Sequence, residues 1–197
     1  MWHIWIRAVL CNSAFFELLL GIDQDLLEDA WRLPCPFCGG RLHRGDFQRK
    51  PRGGPASLPE QFATRFSLCC GRDGCRRRLT PFSVRFLARK VYVAAAVVLV
   101  AAALQGPSPA RLNRLCELFG MTRRTARRWL AWWRTSFAGS DFFKTVRGLL
   151  REGVGAATVP LALLELLHRP SASETTLAAL RLLEPITSAT APGAQPI

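Results

Sequence analysis

Two pairs of cysteines constrain this chain more than any other feature: Cys35-Pro-Phe-Cys38-Gly39-Gly40 and, after 31 intervening residues, Cys70-Gly-Arg-Asp-Gly-Cys75. A C-x2-C turn brings two thiolates to one edge of the backbone, and glycine after the second cysteine lets amides point at sulfur. Two such turns facing each other supply the tetrahedral four-sulfur shell that zinc prefers, with no position left for a catalytic water. The predicted ligands of one structural zinc ion are therefore Cys35, Cys38, Cys70 and Cys75. Cys69 adjoins Cys70, but Phe66, Leu68 and Cys70 share one face of an alternating strand, which favours Cys70. His43, in a basic strand, reads as exposed rather than as a ligand, and Cys11 and Cys116, in apolar helical stretches, read as core. A small β-ribbon buries too little apolar area to fold alone, so metal binding should contribute on the order of 10 kcal/mol to this segment.

The second constraint is charge. The chain of 197 residues carries a formal net charge of +13 and a pI near 10.9, an excess that ordinarily faces phosphate or anionic lipid. It is not spread evenly. Residues 32–90 hold 14 Lys/Arg against 3 Asp/Glu and residues 107–138 hold 7 against 1, whereas residues 1–31 are net acidic and 139–197 are balanced. Compositional bias alone would not segregate charge in this way, so a polyanion is expected against the middle of the chain. The start, Met1-Trp-His-Ile-Trp-Ile-Arg, lacks the pattern of a secretory signal. The most apolar run, Val91 to Leu104, has 14 residues, short of the roughly 20 that cross a bilayer. A cytoplasmic, nucleoid-associated bacterial protein with no membrane partner is the expectation, and seven cysteines in a reducing compartment point to metal rather than disulfides.

Periodicity predicts an α+β chain, mainly α, with small β-hairpins of a zinc ribbon followed by a helix-turn-helix. Residues 1–32 read as helices, with Ser13 as N-cap, a break at Gly21, and Asp23, Asp25, Glu28 and Asp29 as a solvated acidic face. Residues 33–86 form the ribbon, where RLHRGDFQRK and QFATRFSLCC fit β-structure and RKPRGGPASLP a loop. Residues 87–138 begin with a buried helix over Val91–Leu104. Residues 139–185 offer amphipathic helices at 141–151 and 158–183, the latter broken at Pro170 with Ser171 and Glu174 as a capping box. The last stretch, 186–197, is expected to be disordered.

The helix-turn-helix rests on ARLNRLCELF, then Gly120-Met121, then TRRTARRWLAWWRTSF. Gly120 suits the positive φ of a helix C-terminus, with Leu112, Leu115, Cys116 and Phe119 inward in the helix before it. Thr122 can cap the next helix, whose Ala126, Trp129, Leu130, Trp133 and Phe137 recur at helical spacing. The opposite face presents Arg123, Arg124, Thr125, Arg127 and Arg128 in the first two turns, where a recognition helix meets bases and phosphates. Arginine's planar fork matches guanine edges and phosphate oxygens. Arg76, Arg77 and Arg78, just after the second knuckle, are expected to grip phosphate. Trp132 lies off the stripe; with the apolar 158–183 segment it is the candidate contact of a homodimer.

The CPFCGG knuckle, the second knuckle followed by RRRLTPFS, and the trihelical module ending TRRTARRWLAWW together resemble the front ends of bacterial insertion-sequence transposases and small mobile-element proteins of the same arrangement. The likeness covers roughly residues 33–138 and implies double-stranded DNA binding linked to a mobile element, with a transposase or other protein as a further partner. The departure lies after residue 138. About 60 residues remain there, with Asp141, Glu152, Glu165, Glu174 and Glu184, and a nuclease fold presenting three metal-binding carboxylates does not fit. The reading is a noncatalytic transposition accessory factor or regulator. Its rivals are a DNA-cleaving transposase or recombinase subunit completed by a second chain, and a ribbon that docks protein. No Ser/His/Asp set, Gly-rich phosphate loop or helical histidine pair supports the common hydrolase or nucleotide-binding classes.

Overall fold

A computed structural model describes residues 2–55, 58–87, 90–104, 108–149, 155 and 157–195. It has the mainly helical α+β fold that the periodicity implies. Helix α1 (Trp2–Leu10) leads into α2 (Ser13–Arg32), and the cap is Asn12, whose side chain accepts from the Phe15 amide; Ser13 is the first helical residue. The expected break at Gly21 is absent. Glycine costs a helix interior about 1 kcal/mol relative to alanine, and burial of Phe15, Phe16, Leu19 and Leu20 before it and Ile22 and Leu27 after it outweighs that cost.

The two alternating stretches pair with each other rather than each folding on itself. Strand β1 (Leu42–Arg44) runs antiparallel to β4 (Leu68–Cys70), and β2 (Phe47–Gln48) to β3 (Thr64–Arg65), in one continuous register from Leu42↔Cys70 to Gln48↔Thr64. Between them Asp46 interrupts the ladder by accepting the Ser67 amide on its carboxylate. Strand β5 (Arg78–Leu79) adds to β4, giving the order β1-β4-β5.

Helix α3 (Ala94–Ala103) is apolar on every side and buried at all ten positions, which places it at the centre of the bundle. Its alanines let α1, α5, α7 and α8 approach closely. Among the described residues no helix is long and apolar enough to cross a membrane. After α3 follow α4 (Pro109–Phe119), α5 (Arg123–Trp132) with a π-helical continuation at Trp133–Phe137, α6 (Asp141–Leu149), α7 (Leu161–Leu166) and α8 (Ala172–Leu182). The Ser171/Glu174 capping box forms in both directions, each bond at 3.1 Å. Apolar residues of the ribbon and of the helices belong to one contiguous core.

Two expectations are corrected by what joins these parts. Asp23 is not on a solvated face: it is 1% exposed and holds Arg85, itself 0% exposed, by an Nε–Oδ2 bond of 2.7 Å. The same carboxylate takes the Val84 amide and the Ser83 hydroxyl, and the Arg85 guanidinium donates onward to the carbonyls of Gln61, Phe62 and Thr64. These further hydrogen bonds help offset the desolvation that a buried ion pair costs. The segment after residue 186 is likewise not disordered over 187–195. Thr190 Oγ1 accepts the Thr80 amide at 2.8 Å, Thr187 Oγ1 accepts the Ser83 amide at 3.0 Å, and the Ser188 hydroxyl donates to the Thr80 carbonyl. Few apolar side chains made this stretch look unfoldable, but its hydroxyls satisfy backbone groups at 80–83 that no strand pairs. Residues 196–197 fall outside the described part.

Candidate metal centre and nucleic-acid surface

The first knuckle is closed by its own backbone: the Gly39 amide donates to the Cys35 carbonyl at 2.8 Å and the Cys35 amide to the Gly40 carbonyl at 2.8 Å. Gly39 takes φ 71°, a left-handed conformation that costs glycine nothing. A Cβ at Gly40 would lie 3.1 Å from Cys70 Sγ and 3.3 Å from Cys38 Sγ, so the sulfurs occupy the space a side chain would need. The second knuckle turns through bonds from the Cys75 and Arg76 amides to the Arg72 carbonyl, and the Arg72 guanidinium donates to the Cys38 carbonyl at 2.7 Å, tying the knuckles together.

These turns bring Cys35, Cys38, Cys70 and Cys75 into one cluster, with all four Sγ atoms within 4.8 Å of one another. Cys35 and Cys75 are 3.9 Å apart and Cys38 and Cys70 3.5 Å. A tetrahedral shell with Zn–S bonds of about 2.3 Å has sulfur–sulfur edges of about 3.8 Å. The cluster can hold a metal ion. The Gly40 amide, helped by neighbouring thiols, pulls Cys38 down to about 7, against burial. The Arg72 amide acts downward on Cys70, but burial and the three other thiols outweigh it and push Cys70 up to about 12. Four thiolates cannot coexist here without a cation between them.

Cys70, not Cys69, faces the cluster, as strand alternation requires. Cys69 points to the opposite face of the sheet, where it pairs with His43 in a row completed by Arg78. Cys11 is exposed at the end of α1 rather than in the core, and Cys116 is half-buried.

The two helices expected here and the tight turn between them are also present. Gly120 ends α4 at φ 56°, ψ 38°, and Thr122 caps α5 by accepting the Thr125 amide. Ala126, Trp129, Trp133 and Phe137 are buried, while Arg123, Arg124, Arg127 and Arg128 are exposed and Thr125 half-exposed. Arg123 is engaged with α4, its Nε donating to Asn113 Oδ1 at 2.8 Å. Tyr92, which the sequence reading passed over, locks the turn: its ring meets Trp129 edge-on at 4.9 Å and its hydroxyl donates to the Gly120 carbonyl.

In the ribbon Arg76, Arg77 and Arg78 are all exposed but differently occupied. Arg76 pairs with Asp73, Arg77 lies over the Phe37 ring, and Arg78 lies over Phe47 while donating to the Gly45 carbonyl and Ser67 hydroxyl. Trp132 is half-buried under Lys90, whose ammonium sits 3.8 Å from the ring centre. Burial, with Arg128 nearby, pulls Lys90 down to about 8.

No protein-family model, curated protein or solved structure matches this chain significantly.

Proposed function

We propose that the chain is a zinc-stabilised, double-stranded DNA-binding protein acting in transposition, as an accessory factor or as a regulator. Soft thiolates in a closed tetrahedral set favour zinc over harder divalent ions, and closure assigns the metal to structure. The observation that carries the DNA reading is α5. Its apolar stripe is buried, its N-terminus follows a left-handed glycine turn, and its outer face presents arginines of which Arg124, Arg127 and Arg128 make no hydrogen bond or ion pair within the described chain. Such a helix can enter a major groove with its first turns against base edges. Ribbon arginines would add phosphate contacts, which give affinity and register without sequence choice. The insertion-sequence resemblance supplies the link to transposition.

The test is duplex binding across a salt series with zinc content measured on the same protein. Arg124→Ala/Arg127→Ala is the informative variant, because Arg123 also braces α4. One zinc per chain, a steep fall of affinity with salt, and a log–log slope reduced by about two in the variant are expected. Zinc without duplex binding would replace this reading by a protein-docking ribbon. Metal-dependent strand nicking would replace it by a cleaving transposase subunit.

A further inference from the structure

Guanidinium groups lie over aromatic rings throughout the ribbon, in two distinct settings. In the interior, Arg85 lies 4.6 to 5.3 Å from the centres of Phe62, Phe66 and Phe86, and those rings are 1%, 5% and 0% exposed. On the outside, Arg77 lies 4.7 Å from Phe37 and Arg78 5.4 Å from Phe47, yet those rings remain 44% and 40% exposed. An arginine that serves to seal a ring from water leaves it covered, and these two do not. Arg78 is moreover fixed in place by its bonds of 2.8 and 2.9 Å to Gly45 and Ser67, so its ring–guanidinium pair is set before any ligand arrives.

We propose that Phe37 with Arg77 and Phe47 with Arg78 are stacking platforms for unpaired bases of a DNA single strand that continues from the duplex held by α5. An open aromatic face beside a fixed cation matches a ligand that has both a flat π surface and a negative charge, and an unpaired nucleotide has both. An acidic peptide would use the arginines and leave the rings wet; an apolar partner would have to strip water from the cations. A closed duplex offers phosphate but keeps its base faces stacked. The zinc centre sets the placement, since Phe37 lies between the first two cysteines and Arg77 and Arg78 follow closely after the fourth. The protein would then recognise a junction of duplex and single strand, a form DNA takes when ends are opened. This inference rests on the duplex-binding reading of α5.

The experiment compares a blunt duplex with the same duplex carrying a short single-stranded arm that contains a fluorescent purine analogue. Full-length wild type, Phe37→Leu, Phe47→Leu and Phe37→Trp are measured, each verified for zinc. In wild type the arm should raise affinity about tenfold per occupied ring and quench the analogue. The leucine variants should lose that gain while binding blunt duplex unchanged, and the tryptophan variant should keep it. Equal binding of blunt and armed duplex by wild type, or equal loss on both by the leucine variants, overturns the platform. Tighter binding of an RNA arm overturns its assignment to DNA. A wild type that binds the armed but not the blunt duplex upholds the platform and refutes the duplex reading beneath it.

Discussion

Replacing Arg76 by glycine separates what the second knuckle needs for its shape from what it offers a ligand. In both knuckles the residue after the second cysteine adopts the left-handed conformation, Gly39 at φ 71° and Arg76 at φ 45°. An L side chain there costs about 1–2 kcal/mol, which glycine avoids. Against this, glycine frees the unfolded chain by about 0.4–1 kcal/mol. The Arg76–Asp73 pair, with side chains 68% and 92% exposed, contributes little at that exposure. Arg76→Gly should therefore leave the protein unchanged or more stable by about 1 kcal/mol, in urea unfolding of the zinc-loaded form. If the arginine contacts phosphate, the same variant loses duplex affinity and its salt slope falls by about 0.9. A destabilisation of more than about 1 kcal/mol with zinc retained would refute the strain argument, because the side chain would then be holding the knuckle. An unchanged salt slope would refute the phosphate contact.

Three other outcomes follow from the same geometry. Asp23→Ala leaves the Arg85 cation buried without its partner and should cost about 3–5 kcal/mol, whereas Asp23→Ala/Arg85→Met should cost less than the two singles together; additive singles in urea unfolding would sink the pairing. Stripping the metal with a chelator should collapse the amide dispersion of residues 35–40 and 70–79 in NMR spectra while most helical circular dichroism survives, and an unaltered knuckle after metal loss would count against a structural ion. Lys90, drawn down to about 8 by burial and by Arg128, should titrate well below the ordinary lysine value in lysine-ε NMR. Because the unfolded chain binds that proton up to about pH 10.4, Lys90 makes stability rise between about pH 8 and 10.4; a midpoint near the ordinary lysine value would remove that slope.

The metal cluster was legible in sequence because its determinants are local: two elbows fix four sulfurs, and strand alternation alone chooses Cys70 over Cys69. The pair α4 and α5 and the turn between them were legible for the same reason, with a left-handed glycine, a threonine cap and a stripe at helical spacing all within one short stretch. What sequence left hidden depends on partners far away in the chain. Asp23 sits four residues from both Leu19 and Leu27 on the buried stripe of α2, so a positional signal existed, but residue type outweighed it because its partner Arg85 lies 62 residues on. The strap at 187–191 gave less signal still. Its hydroxyls meet backbone groups near residue 80, and composition cannot register such a match.

These distant ties also bear on how two basic surfaces can act as one. The Asp23–Arg85 pair anchors the ribbon's exit to α2, and the strap at 187–191 holds the adjoining residues 80–83. On the other side, Arg52 bridges to Tyr92, and a Cβ on Gly53 would fall 3.0 Å from Ala96 Cβ and 3.4 Å from the Phe119 ring, so the ribbon loop is packed directly onto α3 and α4. Tyr92 in turn braces Gly120 and Trp129, the turn and the buried face of the arginine-bearing helix. A ribbon tethered only by a flexible linker would add its phosphate contacts at an effective concentration set by linker length. One fixed by packing offers its arginines at a constant offset from α5, so if both surfaces meet one DNA, as proposed, the ordering cost of bringing them there would be met in folding rather than in binding. Gly53→Ala, at φ 82° and with its Cβ 3.0 Å from Ala96 Cβ and 3.2 Å from the Tyr92 ring, should therefore lower stability in urea unfolding and, through Tyr92, weaken duplex binding without touching a single cation; unchanged duplex affinity in a destabilised variant would refute this coupling.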